Sequence, residues 1–223
     1  MTSLTRILLN PARRQGRKLL TDPQSMHAAV RAAFPPDLDE SAGRVLWRVD
    51  NRNHEHVLYI VGSEAPTADH IVEQAGWTTR PPQTAEYDRF LDNLKRGQKW
   101  WFELVANPTY SESRGEGKRG KVKAHVSAKH QLQWLHDRSE GAGFSLFDEG
   151  SGETTVIGRQ GLNFYRNYEA GKNKVRITTA RFEGELEVTD ADQLRQTLVS
   201  GIGRAKGYGC GLMTLAPIKS QHG

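Results

Sequence analysis

The sequence predicts an α+β protein built from two tandem βαββαβ units. Three observations carry that prediction. Short branched or aromatic runs alternate with amphipathic helical stretches. The order strand, helix, strand, strand, helix, strand is met once in the first 90 residues and again, with longer loops, in the rest. The 223 residues are enough for two small cores. The expected units are 1–90 and 91–223, joined near Gln83 to Gly97.

In the first unit, Leu4 to Leu9 is a short apolar strand, followed by a basic loop with Arg13, Arg14, Arg17 and Lys18. A helix then opens with Asp22 as N-cap and Pro23 at the first helical position. Its apolar stripe is Met26, Ala29, Val30 and Ala33, and Pro35 and Pro36 end it. Arg44 to Val49 and His56 to Gly62 read as a hairpin around the turn-prone Asp50-Asn51-Arg52-Asn53. Thr67 to Ala75 is a short helix, and Trp77 to Thr79 the closing strand.

In the second unit, Lys99 to Ala106 is aromatic and branched enough for a strand. Ser127 to Arg138 is helical with Leu132 and Leu135 on one side. Strands recur near Phe144 to Phe147, Thr154 to Gly158 and Val175 to Val188. Asp190 to Ser200 is the second helix, capped by Thr189 or Asp190, and Leu212 to Leu215 closes the unit. Two ferredoxin-like (RRM-like) units fit this order.

Charge and cysteine content narrow the function. With 31 basic against 26 acidic residues the net charge is +5, so an anionic partner fits, and where the cations stand matters more than their sum. The single cysteine, Cys210, excludes a disulfide framework and any multi-cysteine zinc site. No signal-peptide core or membrane-length apolar run occurs, so a soluble cytoplasmic protein is expected. His54-Glu55-His56 offers no third ligand and no HExxH is present, so neither metal nor another cofactor is expected.

The cations gather in the second unit. Arg114, Lys118, Arg119, Lys121, Lys123 and Lys129 lie in a glycine-diluted stretch expected to be mobile until an anion orders it. Arg159, Arg166, Lys172, Lys174, Arg176 and Arg181 accompany Phe164, Tyr165 and Tyr168, a mixture suited to an RNA groove or an unstacked base. Near the C-terminus, Gly201, Gly203, Gly207, Gly209 and Gly211 interleave with Arg204, Lys206 and Tyr208: five glycines in eleven residues. Glycine lets backbone N–H groups approach an anion closely. The order helix, loop, strand is the reverse of Walker and Rossmann loops, which leaves a glycine loop presented to a polymeric phosphate backbone. A helix C-cap followed by a tight turn accounts for one or two of these glycines.

One histidine stands out. Gln24, His27 and Arg31 share one helical face, away from the apolar stripe. That places an imidazole able to move protons near neutrality beside an amide and a cation that stabilises developing phosphorane charge.

Asp22-Pro23-Gln24-Ser25-Met26-His27-Ala28-Ala29-Val30-Arg31, combined with the loop Gly201 to Gly211, resembles the CasE family of CRISPR repeat-RNA endoribonucleases of type I-E systems, over Leu4 to Pro217. The resemblance implies two ferredoxin-like domains, binding of the repeat stem-loop, metal-free cleavage at its base, and retention of the product as a Cascade subunit. Other Cascade subunits would then be partners, and target DNA would be met only through the complex. Cleavage would proceed by 2′-hydroxyl attack, leaving a 2′,3′-cyclic phosphate and a 5′-hydroxyl. His27 matches the family's catalytic histidine. Members commonly carry tyrosine three residues earlier, where this chain has Gln24, which hydrogen-bonds but exchanges no proton at neutral pH. Gly201, Gly203, Arg204, Lys206 and Gly207 are assigned to the RNA backbone, and Arg159, Lys172, Lys174 and Arg176 to the stem. The alternatives are a non-catalytic module that binds an RNA hairpin and a scaffold subunit of a ribonucleoprotein.

Overall fold

The structure, a computed structural model, describes residues 1–41, 43–52, 54–113, 115, 120–150, 152–168 and 171–218, without the side chains of 167, 168, 171 and 172. Its first unit runs β1 (Ser3–Leu9), α1 (Arg14–Thr21), α2 (Pro23–Arg31), β2 (Leu46–Arg52), β3 (Glu55–Gly62), α3 (Asp69–Ala75) and β4 (Gln83–Glu86). These strands form an antiparallel sheet in the order β2-β3-β1-β4. Along β1, buried Ser3, Thr5, Ile7 and Leu9 alternate with half-buried residues, the period of a central strand with one face on the core.

A single turn, α4 (Asp88–Leu91), leads to the second unit. There follow β5 (Lys99–Ala106), β6 (Thr109–Glu112), β7 (Lys121–Ala124), α5 (Ala128–Ser139), β8 (Phe144–Leu146), β9 (Thr155–Tyr168), β10 (Gly171–Val188), α6 (Ala191–Ser200) and β11 (Met213–Ala216). The sheet order is β11-β5-β10-β8. Strands β5, β8, β10 and β11 therefore stand where β1, β2, β3 and β4 stand in the first sheet, and the expected tandem ferredoxin-like architecture is what the chain adopts. Two hairpins are added to it: β6 pairs with β7, and β9 pairs with the outer length of β10.

Each unit has its own core. Ile7, Leu9, Met26, Val30, Leu58, Ile60 and Ile71 pack the first. Phe102, Leu104, Trp134, Phe144, Phe182 and Leu198 pack the second, and Leu46 and Val61 of the first sheet join that second cluster. The sheets are also tied by charge. Fully buried Arg48 of β2 makes two 2.8 Å bonds to Asp50 and donates to the carbonyls of Glu103 (2.7 Å) and Leu212 (3.0 Å) and to Thr214 Oγ1 (2.8 Å). Arg181 of β10 reaches back to Asp50 Oδ1 at 2.9 Å and to Glu103 Oε2 at 2.6 Å.

Four expectations change. The basic loop at Arg13 to Lys18 is mostly helix α1, and Gly16 packs against the backbone just after β1: a Cβ there would overlap the Asn10 carbonyl oxygen. The closing strand of the first unit is Gln83–Glu86, beyond Pro81 and Pro82, whereas Trp77 to Thr79 forms no strand. All four β4 side chains are exposed, so this edge strand is held by backbone pairing and has no apolar pattern to read. Because it belongs to the first sheet, the connection between the sheets begins after Glu86. The turn expected at Asp50 to Asn53 starts later, since Asp50 is a buried strand residue. Finally, Lys121 and Lys123 lie in β7 and Lys129 in α5 rather than in a mobile stretch, while Arg114, Lys118 and Arg119 fall outside the described residues.

Candidate active site

Helix α2 begins as the sequence requires. Asp22 Oδ1 accepts from the Gln24 backbone N–H at 3.1 Å, and Pro23 occupies the first turn, where its missing N–H has no cost. Met26 and Val30 are buried in the first core. Helical periodicity puts Gln24, His27 and Arg31 on one face, and of these Gln24 and His27 meet the second unit.

What meets them is the glycine loop. Its middle is one 3₁₀ turn, Lys206–Tyr208, closed by Tyr208 N–H donating to the Ala205 carbonyl at 2.9 Å. Gly207 lies on the His27 ring, and the Tyr208 ring centroid is 6.0 Å from that of His27. The Tyr208 hydroxyl donates to Gln24 Oε1 at 3.3 Å. The Tyr208 ring also packs against Phe164 of β9, with centroids 4.6 Å apart.

The β9–β10 hairpin completes the surroundings. Paired residues alternate between its faces. Leu162 and Phe164 with Val175 and Ile177 form the face packed on Tyr208 and Cys210, and Arg166 leaves β9 on that same side, toward His27. Tyr165, Lys174 and Arg176 are exposed on the opposite side.

Electrostatics follow from this packing. Partial burial, and after it the positive charges of Arg31 and Arg166, hold the His27 imidazole below the usual 6.5, with Glu40 acting in the other direction. The imidazole is thus neutral at neutral pH and has a nitrogen lone pair with which to accept a proton. Arg31 is not an isolated cation: its Nη1 donates to Glu40 Oε1 at 2.8 Å.

The remaining candidates are spread over two surfaces. Arg204 is exposed, whereas Lys206 turns inward, its Nζ donating to the Ser200 carbonyl at 2.7 Å at the C-terminal end of α6. Gly201, Gly203, Gly209 and Gly211 all have φ between +73° and +91°. At Gly201 this conformation ends α6, and at Gly209 a Cβ would also stand 2.8 Å from the Trp47 ring. Four of the five glycines are therefore demanded by the fold, and Gly207 by its contact with His27. Arg159 is exposed, with Nη1 donating to the Val126 carbonyl at 3.1 Å. Arg181, counted from the sequence among the hairpin cations, belongs instead to the ionic tie between the sheets. The side chain of Lys172 lies outside the described residues.

Sequence reasoning missed Tyr208 and Arg166 as neighbours of His27. Both were visible as residues, but nothing local to α2 signals a partner 184 positions away. A groove of about 730 Å³ between the two sheets opens beside this cluster, with Tyr208 on its rim and Arg48, Glu103 and Arg181 along it. His54-Glu55-His56 is engaged otherwise, His56 Nδ1 with Asn51 at 2.6 Å and Glu55 with Arg80 at 2.8 Å.

Comparison with known proteins places the chain as a whole. A family model described as CRISPR associated protein matches residues 3–217. The CRISPR-associated endoribonuclease Cse3 of Thermus thermophilus is 30% identical over 218 residues, covering 96% of this chain and 99% of that protein. The CRISPR system Cascade subunit CasE of Escherichia coli is 28% identical over 205 residues, covering 88% and 93% of the two chains. A solved structure of Cse3 bound to a 19 nt RNA superposes with a TM-score of 0.79 at 29% identity, covering 97% of this chain and 99% of that one. The chain belongs to the CRISPR-associated protein family whose model spans it from residue 3 to residue 217.

Proposed function

We propose that this protein is a CRISPR repeat-RNA endoribonuclease that cuts at the base of the repeat stem-loop and keeps the product as a subunit of a Cascade complex. The observation that carries the reading is the assembled cluster of His27, Gln24 and Tyr208 beside Arg166, formed where both units meet, in a chain whose full length matches Cse3. The neutral imidazole takes the proton of the 2′-hydroxyl upstream of the scissile bond. The 2′ oxygen bonds to phosphorus, the bond from phosphorus to the 5′ oxygen breaks, and that oxygen takes a proton from water. The products are a 2′,3′-cyclic phosphate and a 5′-hydroxyl. Arg31 and Arg166 stand close enough to His27 to lower its pKa, and so to stabilise charge on the phosphorane. The chemistry asks for no metal and no other cofactor.

The RNA lies over both units, 1–90 supplying the imidazole and 91–223 most of the binding surface. Lys174, Arg176 and Arg159, with Lys172, hold the stem by its phosphates, and exposed Tyr165 gives a stacking surface among them. The glycine loop meets the backbone next to the cut through Arg204 and the Gly207 region, while Lys206 chiefly closes the loop. Partners are the repeat RNA and other Cascade subunits, and target DNA is met through the complex. Among the described residues no helix is long and apolar enough to cross a membrane; as a Cascade subunit the protein would work in the cytoplasm.

The test is direct. The isolated protein, mixed with its repeat hairpin in excess EDTA, gives one cut with a cyclic phosphate on the upstream fragment. A hairpin bound tightly but left intact would instead identify a non-catalytic RNA module.

A further inference from the structure

The side chain that links the glycine loop to the catalytic helix has no role in the scheme above. Tyr208 touches two residues of α2 at the cleavage site, its hydroxyl on Gln24 Oε1 at 3.3 Å and its ring 6.0 Å from that of His27 between centroids. We propose that Tyr208 is a positioning residue for the cleavage, fixing the Gln24 amide and the His27 imidazole in the orientation that the scissile phosphate needs. The inference rests on the reading of His27 as the group that takes the proton.

A glutamine side chain has two orientations that differ by exchange of its oxygen and nitrogen, and a neighbouring hydroxyl group that donates selects one of them. With the phenol donating to Oε1, the Gln24 NH₂ is left to donate elsewhere, which is the orientation an anionic phosphate oxygen requires. The reverse orientation would point an acceptor at the anion. The 3.3 Å separation is long for a hydroxyl donor. Catalytic hydrogen bonds commonly tighten only when substrate draws the groups together.

A positioning residue must itself be held, and Tyr208 is. Phe164 packs against its ring with centroids 4.6 Å apart. The 3₁₀ turn that carries it is bracketed by two left-handed residues, Ala205 (φ 59°) and Gly209 (φ 77°). Lys206 fastens the same turn to the end of α6 through the Ser200 carbonyl. An aromatic side chain with only two rotatable bonds, on a backbone clamped at both ends, loses little further entropy when RNA binds. The second unit thus controls the geometry of a reaction whose proton acceptor lies in the first.

The experiment is a double-mutant cycle on single-turnover cleavage, with hairpin affinity measured for each protein. Tyr208→Phe keeps the ring and its packing but removes the hydroxyl. The expected result is cleavage about five- to tenfold slower with hairpin affinity unchanged, the size of one neutral hydrogen bond lost at the reacting centre. Gln24→Ala slows cleavage by a similar factor, and the double variant is no slower than Gln24→Ala alone, because the hydroxyl acts through the amide. A purely structural role would give multiplied effects in the double variant and a loss of affinity. Cleavage by Tyr208→Phe at the wild-type rate, with His27→Ala inactive, overturns the role of Tyr208 and leaves the endoribonuclease reading intact. A wild-type protein that binds the hairpin without cutting it overturns both.

Discussion

Gly207 lies so close to His27 that a Cβ built on it would stand 3.3 Å from the imidazole Cε1 and 3.4 Å from Nδ1. The lack of a side chain at this position therefore leaves room for the ring. Alanine would ask the half-buried ring to move by a few tenths of an ångström, and a branched side chain would ask for much more.

Gly207→Ala should accordingly cleave within about threefold of wild type, and Gly207→Val about a hundredfold more slowly, since an ångström of misplacement at a reacting group costs that much. Because Gly207 also lies where the loop meets RNA, the rates are compared at saturating hairpin, so that a loss of affinity does not count as a loss of cleavage. Rapid-quench single-turnover assays check both. Equal rates for the valine variant and wild type would mean that His27 does not act from this position.

The pH dependence of cleavage follows from the charges around His27. A proton acceptor must be neutral, so the rate rises with pH through its pKa and then levels off. Burial, Arg31 and Arg166 place that midpoint below 6.5. Arg31→Ala removes a cation and leaves Glu40 in place, so the midpoint moves up. Glu40→Gln removes the opposing anion and frees the Arg31 charge, so the midpoint moves down. Rate profiles of the two variants should therefore shift in opposite directions.

Stability is concentrated in the ionic tie between the sheets. Burial works against the Asp50 carboxylate, but hydrogen bonds and charge from Arg48 and Arg181 outweigh it and hold its pKa below the ordinary 3.8. A carboxyl depressed in the folded state stabilises the fold fully above pH 3.8, and that stabilisation is lost as pH falls through the lower, folded-state value. Asp50→Ala leaves the Arg48 guanidinium buried without its closest carboxylate, which costs about 3–5 kcal/mol, whereas an exposed pair such as Lys123 with Glu112 is screened by solvent and contributes little. Denaturant titration of Asp50→Ala and Glu112→Ala should separate the two classes clearly.

The exposed face of the β9–β10 hairpin predicts a salt signature. Lys174→Ala and Arg176→Ala should each weaken hairpin binding and lower the slope of log affinity against log salt by about one. Cleavage of fully bound RNA should stay near the wild-type rate. An unchanged slope in the double variant would move the stem to another surface.

Much of this could be read along the chain, and what was missed has identifiable causes. Helix α2 announced itself through Asp22, Pro23 and its apolar stripe, and β5 and α6 matched their patterns because each has one buried side. Helix α1 was hidden by its cations and by Gly16, whose reason is a close contact with Asn10 that lies in three dimensions. Strand β4 was hidden because an edge strand with four exposed side chains has no hydrophobic period. The face shared by Gln24, His27 and Arg31 was legible from helical spacing alone. Tyr208, Arg166 and the Arg48–Asp50–Arg181–Glu103 tie were not, because each joins elements far apart in sequence. The glycines looked like one phosphate cradle, and the structure gives four of them a backbone conformation to satisfy first.

The central claim is that His27 performs metal-free cleavage from helix α2. The measurement that tests it most directly is single-turnover cleavage of the repeat hairpin in excess EDTA by wild type and by His27→Ala, with affinity measured in parallel. The account predicts one cut leaving a 2′,3′-cyclic phosphate with wild type, and equally tight binding with cleavage at least a hundredfold slower in the variant, the lower end of what a general base contributes. Cleavage by His27→Ala at the wild-type rate would contradict it.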